Sequence, residues 1–154
     1  MKITIISIGK FENSPHRFAF ENYLKRMKWD IELKELDLKN AHNLSVDKIK
    51  EGEGRLIAKA IKSGSVIIAL DEKGKEFTSQ NFAKLIADFA VKGNSNLTFL
   101  IGGSNGLSSE IIGLANLKIA LGLMTFPHLM VRAMLIEQLY RSQSIIAGHP
   151  YHKE

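Results

Sequence analysis

The chain has 154 residues, enough for one domain that buries roughly two-thirds of the surface its unfolded form would expose. It contains no cysteine, which excludes disulfides, thiolate metal sites and a cysteine nucleophile. Twenty-one basic and sixteen acidic side chains give a formal charge of +5, an excess that favours polyanions without establishing one as a partner. The charges are unevenly spread: residues 1–75 hold fifteen basic and eleven acidic groups, whereas residues 97–146 contain only Glu110, Lys118, Arg132, Glu137 and Arg141. The carboxyl-terminal third therefore reads as a segment built for burial.

The opening run Ile3 to Ile8, closed by Gly9, is β-branched and nearly uncharged, as expected of a strand covered on both faces. Its alternating threonine and serine and the lack of a small-residue cleavage site argue against a signal peptide, and no stretch is long and apolar enough to span a bilayer, so a soluble, cytoplasmic protein is expected. Ser14 and Pro15 offer a helix start, and Phe20, Tyr23, Leu24 and Met27 follow at helical spacing over 16–27. Ile31 to Leu38 alternates apolar and charged residues, the pattern of an edge strand or of one wet face. Ser45 can cap a helix that carries Val46, Ile49, Leu56, Ile57 and Ile61 and stops at Gly64.

Val66 to Leu70 is a short apolar run that turns polar at Asp71, and it reads as a central parallel strand followed by a turn at Gly74. Thr78 or Ser79 can cap the next helix, with Phe82, Leu85, Ile86 and Phe89, and Gly93 ends it. Leu97 to Ile101 repeats the central-strand pattern and breaks into Gly102-Gly103-Ser104-Asn105-Gly106, before Leu107 and Ser108 open a short helix. A last strand includes Ile119, Ala120 and Leu121, and Pro127 starts a long helix to about Ile145. Strands alternating with helices predict an α/β fold, a mostly parallel sheet with helices on both faces, in a single domain over residues 1–154. Met130, Met134, Leu135, Ile136, Leu139 and Tyr140 circle the last helix, more apolar surface than one sheet face is expected to cover, which predicts a homodimer.

Three segments carry candidate chemistry. The glycine loop follows a central strand, where open α/β sheets bind ligands, but it lacks both the dinucleotide-binding spacing and a Walker lysine, so a plain strand-to-helix turn fits it equally well. Leu121 to His128 is apolar and irregular, a composition shared by buried core and by a cofactor pocket. Arg132 is a lone cation in a neutral segment, either an ion-pair member or a group held for a substrate, and Glu137 and Arg141 stand one helical turn apart as a local salt bridge. The tail, Gly148-His149-Pro150-Tyr151-His152-Lys153-Glu154, gathers an aromatic ring, two imidazoles and a lysine, groups suited to stacking on a base, holding phosphate and moving a proton. His149 and His152 lack companion ligands, so no metal is expected.

Taken together, Gly9-Lys10, Tyr23 to Arg26, Leu70-Asp71 with Gly74-Lys75, Leu100 to Gly103 with Gly106-Leu107, Thr125 to Arg132 and the His149 to Glu154 ending resemble, along essentially the whole chain, the small bacterial SPOUT-class methyltransferases that modify N3 of a pseudouridine in large-subunit ribosomal RNA. The resemblance implies a carboxyl-terminal trefoil knot that forms an S-adenosyl-L-methionine site. It places Leu70, Gly103, Gly122, Leu123, Met124, Thr125, Phe126 and Pro127 around that cofactor. It further implies a homodimer acting on ribosomal RNA in the assembled ribosome, with Tyr151, His152 and Arg132 as catalytic candidates and Arg141, His149 and Lys153 as RNA-binding ones. Leu129-Met130 departs from relatives that carry proline or glutamine there, which puts the packing of the interface in question. The rival is a ribosome-associated RNA-binding dimer without turnover. A flavodoxin-like module is disfavoured because the first strand lacks a phosphate loop.

Overall fold

The computed structural model describes residues 1–12 and 14–153. Five strands, β1 (Lys2–Ile8), β2 (Asp30–Leu36), β3 (Val66–Glu76), β4 (Asn96–Ile101) and β5 (Leu117–Ala120), form one sheet in the order β2-β1-β4-β3-β5. Every pairing is parallel. β1 and β4 lie inside the sheet, which is why their runs are apolar on both faces, while β2 is an edge with half-buried side chains, as its alternation predicts.

The helix starts follow local chemistry. Ser14, Ser45, Thr78 and Ser108 each accept a backbone N–H of the first turn, opening α1 (Pro15–Leu24), α2 (Val46–Ala60), α3 (Ser79–Val91) and α4 (Ser109–Leu114). The helix ends depart further from expectation: α1 stops at Leu24, and Met27 packs onto the core from the loop beyond it. α5 (His128–Ile146) begins one residue after Pro127.

Two apolar layers cover the sheet. On one face α1, α3 and α5 deliver Phe20, Phe82, Ile86, Leu135, Ile136 and Leu139 onto Ile3, Ile5, Leu97 and Phe99. On the other, α2 and α4 deliver Ile57 and Ile111 onto Ile6, Ile8, Ala69 and Leu100. Each such side chain contributes about 1.5–3 kcal/mol on burial.

α5 corrects one expectation. Leu135, Ile136, Leu139 and Tyr140 are buried within the protomer, because α5 lies between α1 and α3 against the sheet; Met130 and Met134 remain half-buried. Its polar side chains are consumed internally too: Ser142 and Ser144 donate to the carbonyls of Gln138 and Tyr140, and Gln143 accepts from the amides of Lys28 and Trp29. An all-round apolar helix is thus accommodated largely by one chain. No helix among the described residues is long and apolar enough to cross a membrane.

Candidate functional site

The carboxyl ends of β3, β4 and β5 converge on a cavity of about 700 Å³. Three segments wall it: 70–73, 101–107 and 119–128. β3 continues past Leu70 instead of turning away, and its pairing with β5 jumps from Leu70 opposite Ile119 to Lys75 opposite the same Ile119. Residues 71–74 therefore bulge over the cavity. Gly74 is not a simple turn residue: a Cβ there would lie 2.5–2.7 Å from the Ile119 backbone. Gly74→Val is expected to destabilise the protein by about 1–3 kcal/mol through this clash, and thermal unfolding of the purified variant checks it. Asp71 Oδ1 accepts the Lys73 amide at 2.7 Å, and Glu72 Oε2 accepts the Thr125 hydroxyl at 3.0 Å, tying the bulge to the opposite wall.

The glycine loop is a tight backbone turn. Gly103 and Gly106 form an isolated bridge, the Gly106 amide donates to the Gly103 carbonyl at 3.0 Å, and Gly106 has φ +75°. A Cβ at Gly102 would fall 2.6 Å from the Gly106 carbonyl carbon. The loop thus presents backbone to the cavity, with little room for side chains. Across the cavity, 121–127 has no regular structure, and Gly122 packs beside the Phe126 ring. Leu70, Gly103, Gly122, Met124, Thr125, Phe126 and Pro127 all line this cavity. Leu123 is the exception, 89 % exposed and outside the lining.

Arg132 has no exposed surface. It donates to Glu35 Oε1 at 3.1 Å and to the carbonyls of Ile8 and Gly9, and its guanidinium stands 4.9 Å from the Phe11 ring centre. Glu35 also accepts the Phe11 amide. Of the two readings of Arg132, the structure shows the ion-pair member: both Nη atoms are turned inward and fix the end of β1, and Nε is buried without a partner, so the guanidinium has no surface to offer RNA. Burial pulls its pKa down, and Glu35 works against that shift. Next to it His128 lines the cavity with its Nε2 facing Gly9, and burial followed by the Arg132 charge lowers its pKa, favouring the neutral imidazole.

The tail docks on the other end of α5. The Tyr151 ring packs edge-on against Tyr140 at 4.8 Å, and the guanidiniums of Arg26 and Arg141 lie 5.2 and 4.9 Å from its centre. Its hydroxyl is 3.1 Å from both Tyr23 Oη and Glu137 Oε1; with one proton it donates to the carboxylate and accepts from Tyr23. Burial first, then the bond with Tyr23 and the Glu137 charge, push its ionisation far above that of a free phenol. A phenol so held keeps its proton, which favours a positioning role for Tyr151 over taking one up. Arg141 clasps Glu137 and donates at 3.1 Å to His152 Nδ1. A guanidinium can only donate, so that nitrogen accepts, and the neutral ring carries its hydrogen on Nε2. His149 and Lys153 are exposed.

The resemblance offers Arg141 either for RNA phosphates or for orienting the tail, and the contact with His152 matches the second; Glu137, expected only as its salt-bridge partner, holds the tail as well through Tyr151. Tyr23 and Arg26 were visible as helix residues, yet nothing local marked them as the tail's seat. The two halves of the expected site also stay apart. The cavity reaches α5 at His128 and Val131, the tail meets it at Glu137, Tyr140 and Arg141, and the six-residue step from Val131 to Glu137 rises about 9 Å.

A family model described as a predicted SPOUT methyltransferase matches residues 1–152. The chain belongs to the SPOUT methyltransferases. Among curated relatives it is 45 % identical to the ribosomal RNA large subunit methyltransferase H of Clostridium tetani (strain Massachusetts / E88) and 44 % identical to that of Clostridium botulinum (strain Kyoto / Type A2), each alignment covering 99 % of this chain and all of the relative. Among solved structures it is similar to a probable methylase family protein from Haemophilus influenzae Rd KW20, with a TM-score of 0.61 at 13 % identity, over 99 % of this chain and 70 % of that one; this likeness concerns the fold. As a SPOUT methyltransferase it is an enzyme that uses S-adenosylmethionine as methyl donor. The cavity fits that molecule: its volume lies in the range of small-ligand sites, and its glycine wall is a cradle that side chains would fill. Gly103→Trp is expected to abolish binding of S-adenosylhomocysteine in calorimetry, because a Cβ there already sits 3.0–3.1 Å from Glu53 and Ile8.

Proposed function

We propose that this chain is a homodimeric methyltransferase that modifies N3 of a pseudouridine in large-subunit ribosomal RNA, acting on the assembled ribosome in the cytoplasm. The cofactor is held by Leu70, Gly103 and residues 122–127, and the tail of the partner subunit completes each site. The observation that carries this reading is the division along α5: within one protomer the tail seats on Tyr23, Glu137, Tyr140 and Arg141, none of which lines the cavity, so its own cavity is left without a tail. A second copy supplies the missing half. A groove lined by Tyr23, Phe77, Phe82, Leu121 and Met134, between the tail's seat and the carboxyl end of β5, offers the apolar surface such a pairing needs. We further propose that the chain is one domain with a trefoil knot. In support, β4 is inserted between β1 and β3 although it follows β3, and α5 then passes back between α1 and α3.

When bound, S-adenosylmethionine supplies an electrophilic methyl group. The protein's own work is positioning. Tyr151 offers a ring, held between two guanidiniums, to order the target base. His152 presents Nε2–H for donation to a carbonyl of that base, stabilising the negative charge left as the N3 proton passes to solvent water. Arg141 and Glu137 hold both tail groups in place, and the exposed His149 and Lys153 face RNA phosphates. The relatives' printed name, ribosomal RNA large subunit methyltransferase H, supports the substrate class.

The test is calorimetric titration with S-adenosylhomocysteine, followed by transfer of labelled methyl to ribosomes lacking the modification and to the free RNA. Binding with transfer to ribosomes supports the reading. Binding without transfer to either substrate favours the RNA-binding dimer.

A further inference from the structure

Glu53 is an anomaly in α2. Its side chain is only 9 % exposed, and Oε2 has no hydrogen-bond partner. Burial pushes its pKa up. A buried, unpaired carboxyl costs folding energy that an apolar residue would not, so a ligand is the natural source of compensation. The carboxyl faces Gly103, whose absent Cβ would lie 3.0 and 3.1 Å from its two oxygens, so it abuts the glycine loop from the α2 side without itself lining the cavity. One turn earlier on the same helix face, half-buried Lys50 lines the cavity and has no ion-pair partner among the described residues. Residues at this spacing are neighbours on a helix surface, and they present one cation and one acid beside a glycine loop.

We propose that Lys50 and Glu53 form the subsite for the amino-acid end of the cofactor, Lys50 receiving its carboxylate and Glu53 its ammonium. The pair matches the two charges of that end in kind and number, and it leaves the apolar 121–127 wall for the adenosine. This rests on the reading that the cavity holds the cofactor.

Calorimetry of unaltered protein, Glu53→Gln and Lys50→Met with two probes tests it. The probes are S-adenosylhomocysteine and 5′-methylthioadenosine, which keeps the nucleoside and thioether but lacks the amino-acid end. Each variant is expected to lose about 10- to 100-fold in affinity for S-adenosylhomocysteine, the effect of one charged hydrogen bond, and less than about two-fold for methylthioadenosine. Retained methylthioadenosine binding also shows that the variants are folded. Unchanged S-adenosylhomocysteine affinity, or equal losses for both probes, overturns the subsite. If neither probe binds the unaltered protein, the placing of the cofactor in this cavity falls, and the subsite with it.

Discussion

Arg132→Met is expected to lower the melting temperature by roughly 10 °C, the largest stability loss of any single change outside the apolar core. The arginine bridges three acceptors, Glu35 Oε1 and the carbonyls of Ile8 and Gly9, at a point with no access to water. Removing one partner of a buried pair costs about 3–5 kcal/mol, chiefly because the other is left unpaired. Glu35 keeps a quarter of its side chain exposed, which places the cost near the lower bound. For a domain of this size each kcal/mol shifts the transition by about 2–4 °C. Arg132→Lys is expected to recover little, since one ammonium cannot reproduce a planar fork reaching three acceptors on two elements. Thermal unfolding followed by circular dichroism gives the shift. Methyl transfer assayed well below the transition separates the roles: activity in the folded variant marks Arg132 as an anchor, and a folded but inactive variant returns it to the reaction.

Deleting residues 151–154 is expected to abolish methyl transfer while S-adenosylhomocysteine still binds, because the tail seats on Tyr23, Glu137, Tyr140 and Arg141 and touches no residue of the cavity wall. Co-expression of that truncation with Gly103→Trp distinguishes two architectures. Where each site combines one protomer's cavity with its partner's tail, a mixed dimer contains one intact site, and random pairing restores about a quarter of the normal activity. Where each protomer serves itself, no intact site forms and the mixture stays inactive. Loss of cofactor binding in the truncation would place the tail in the cofactor site instead.

Much of this molecule is written in local sequence. The apolar runs at Ile3–Ile8, Val66–Leu70 and Leu97–Ile101 announce covered parallel strands, and Ser14, Ser45, Thr78 and Ser108 mark helix starts with an oxygen placed for an unpaired amide. The glycine loop and the irregular 121–127 stretch stood out for the same reason, since backbone freedom and missing periodicity are properties of a few neighbouring residues.

What local pattern could not reveal is what strand order alone decides. With β4 between β1 and β3, the loops after β3, β4 and β5 share one cavity, and α2 passes behind Gly103, so Glu53 becomes an unpaired acid where its sequence context is an ordinary charged helix. Gly74 looked like a turn, but its need is set by Ile119, 45 positions away. Arg132 reads equally as an ion-pair member or as a group held for a substrate until its partners on β1 and β2 are seen, and most of the surplus apolar surface read from α5 is taken up between α1 and α3. Periodicity reports which face of an element is apolar; which neighbour covers that face, and which buried charge is left without a partner, depends on contacts between residues far apart in the chain.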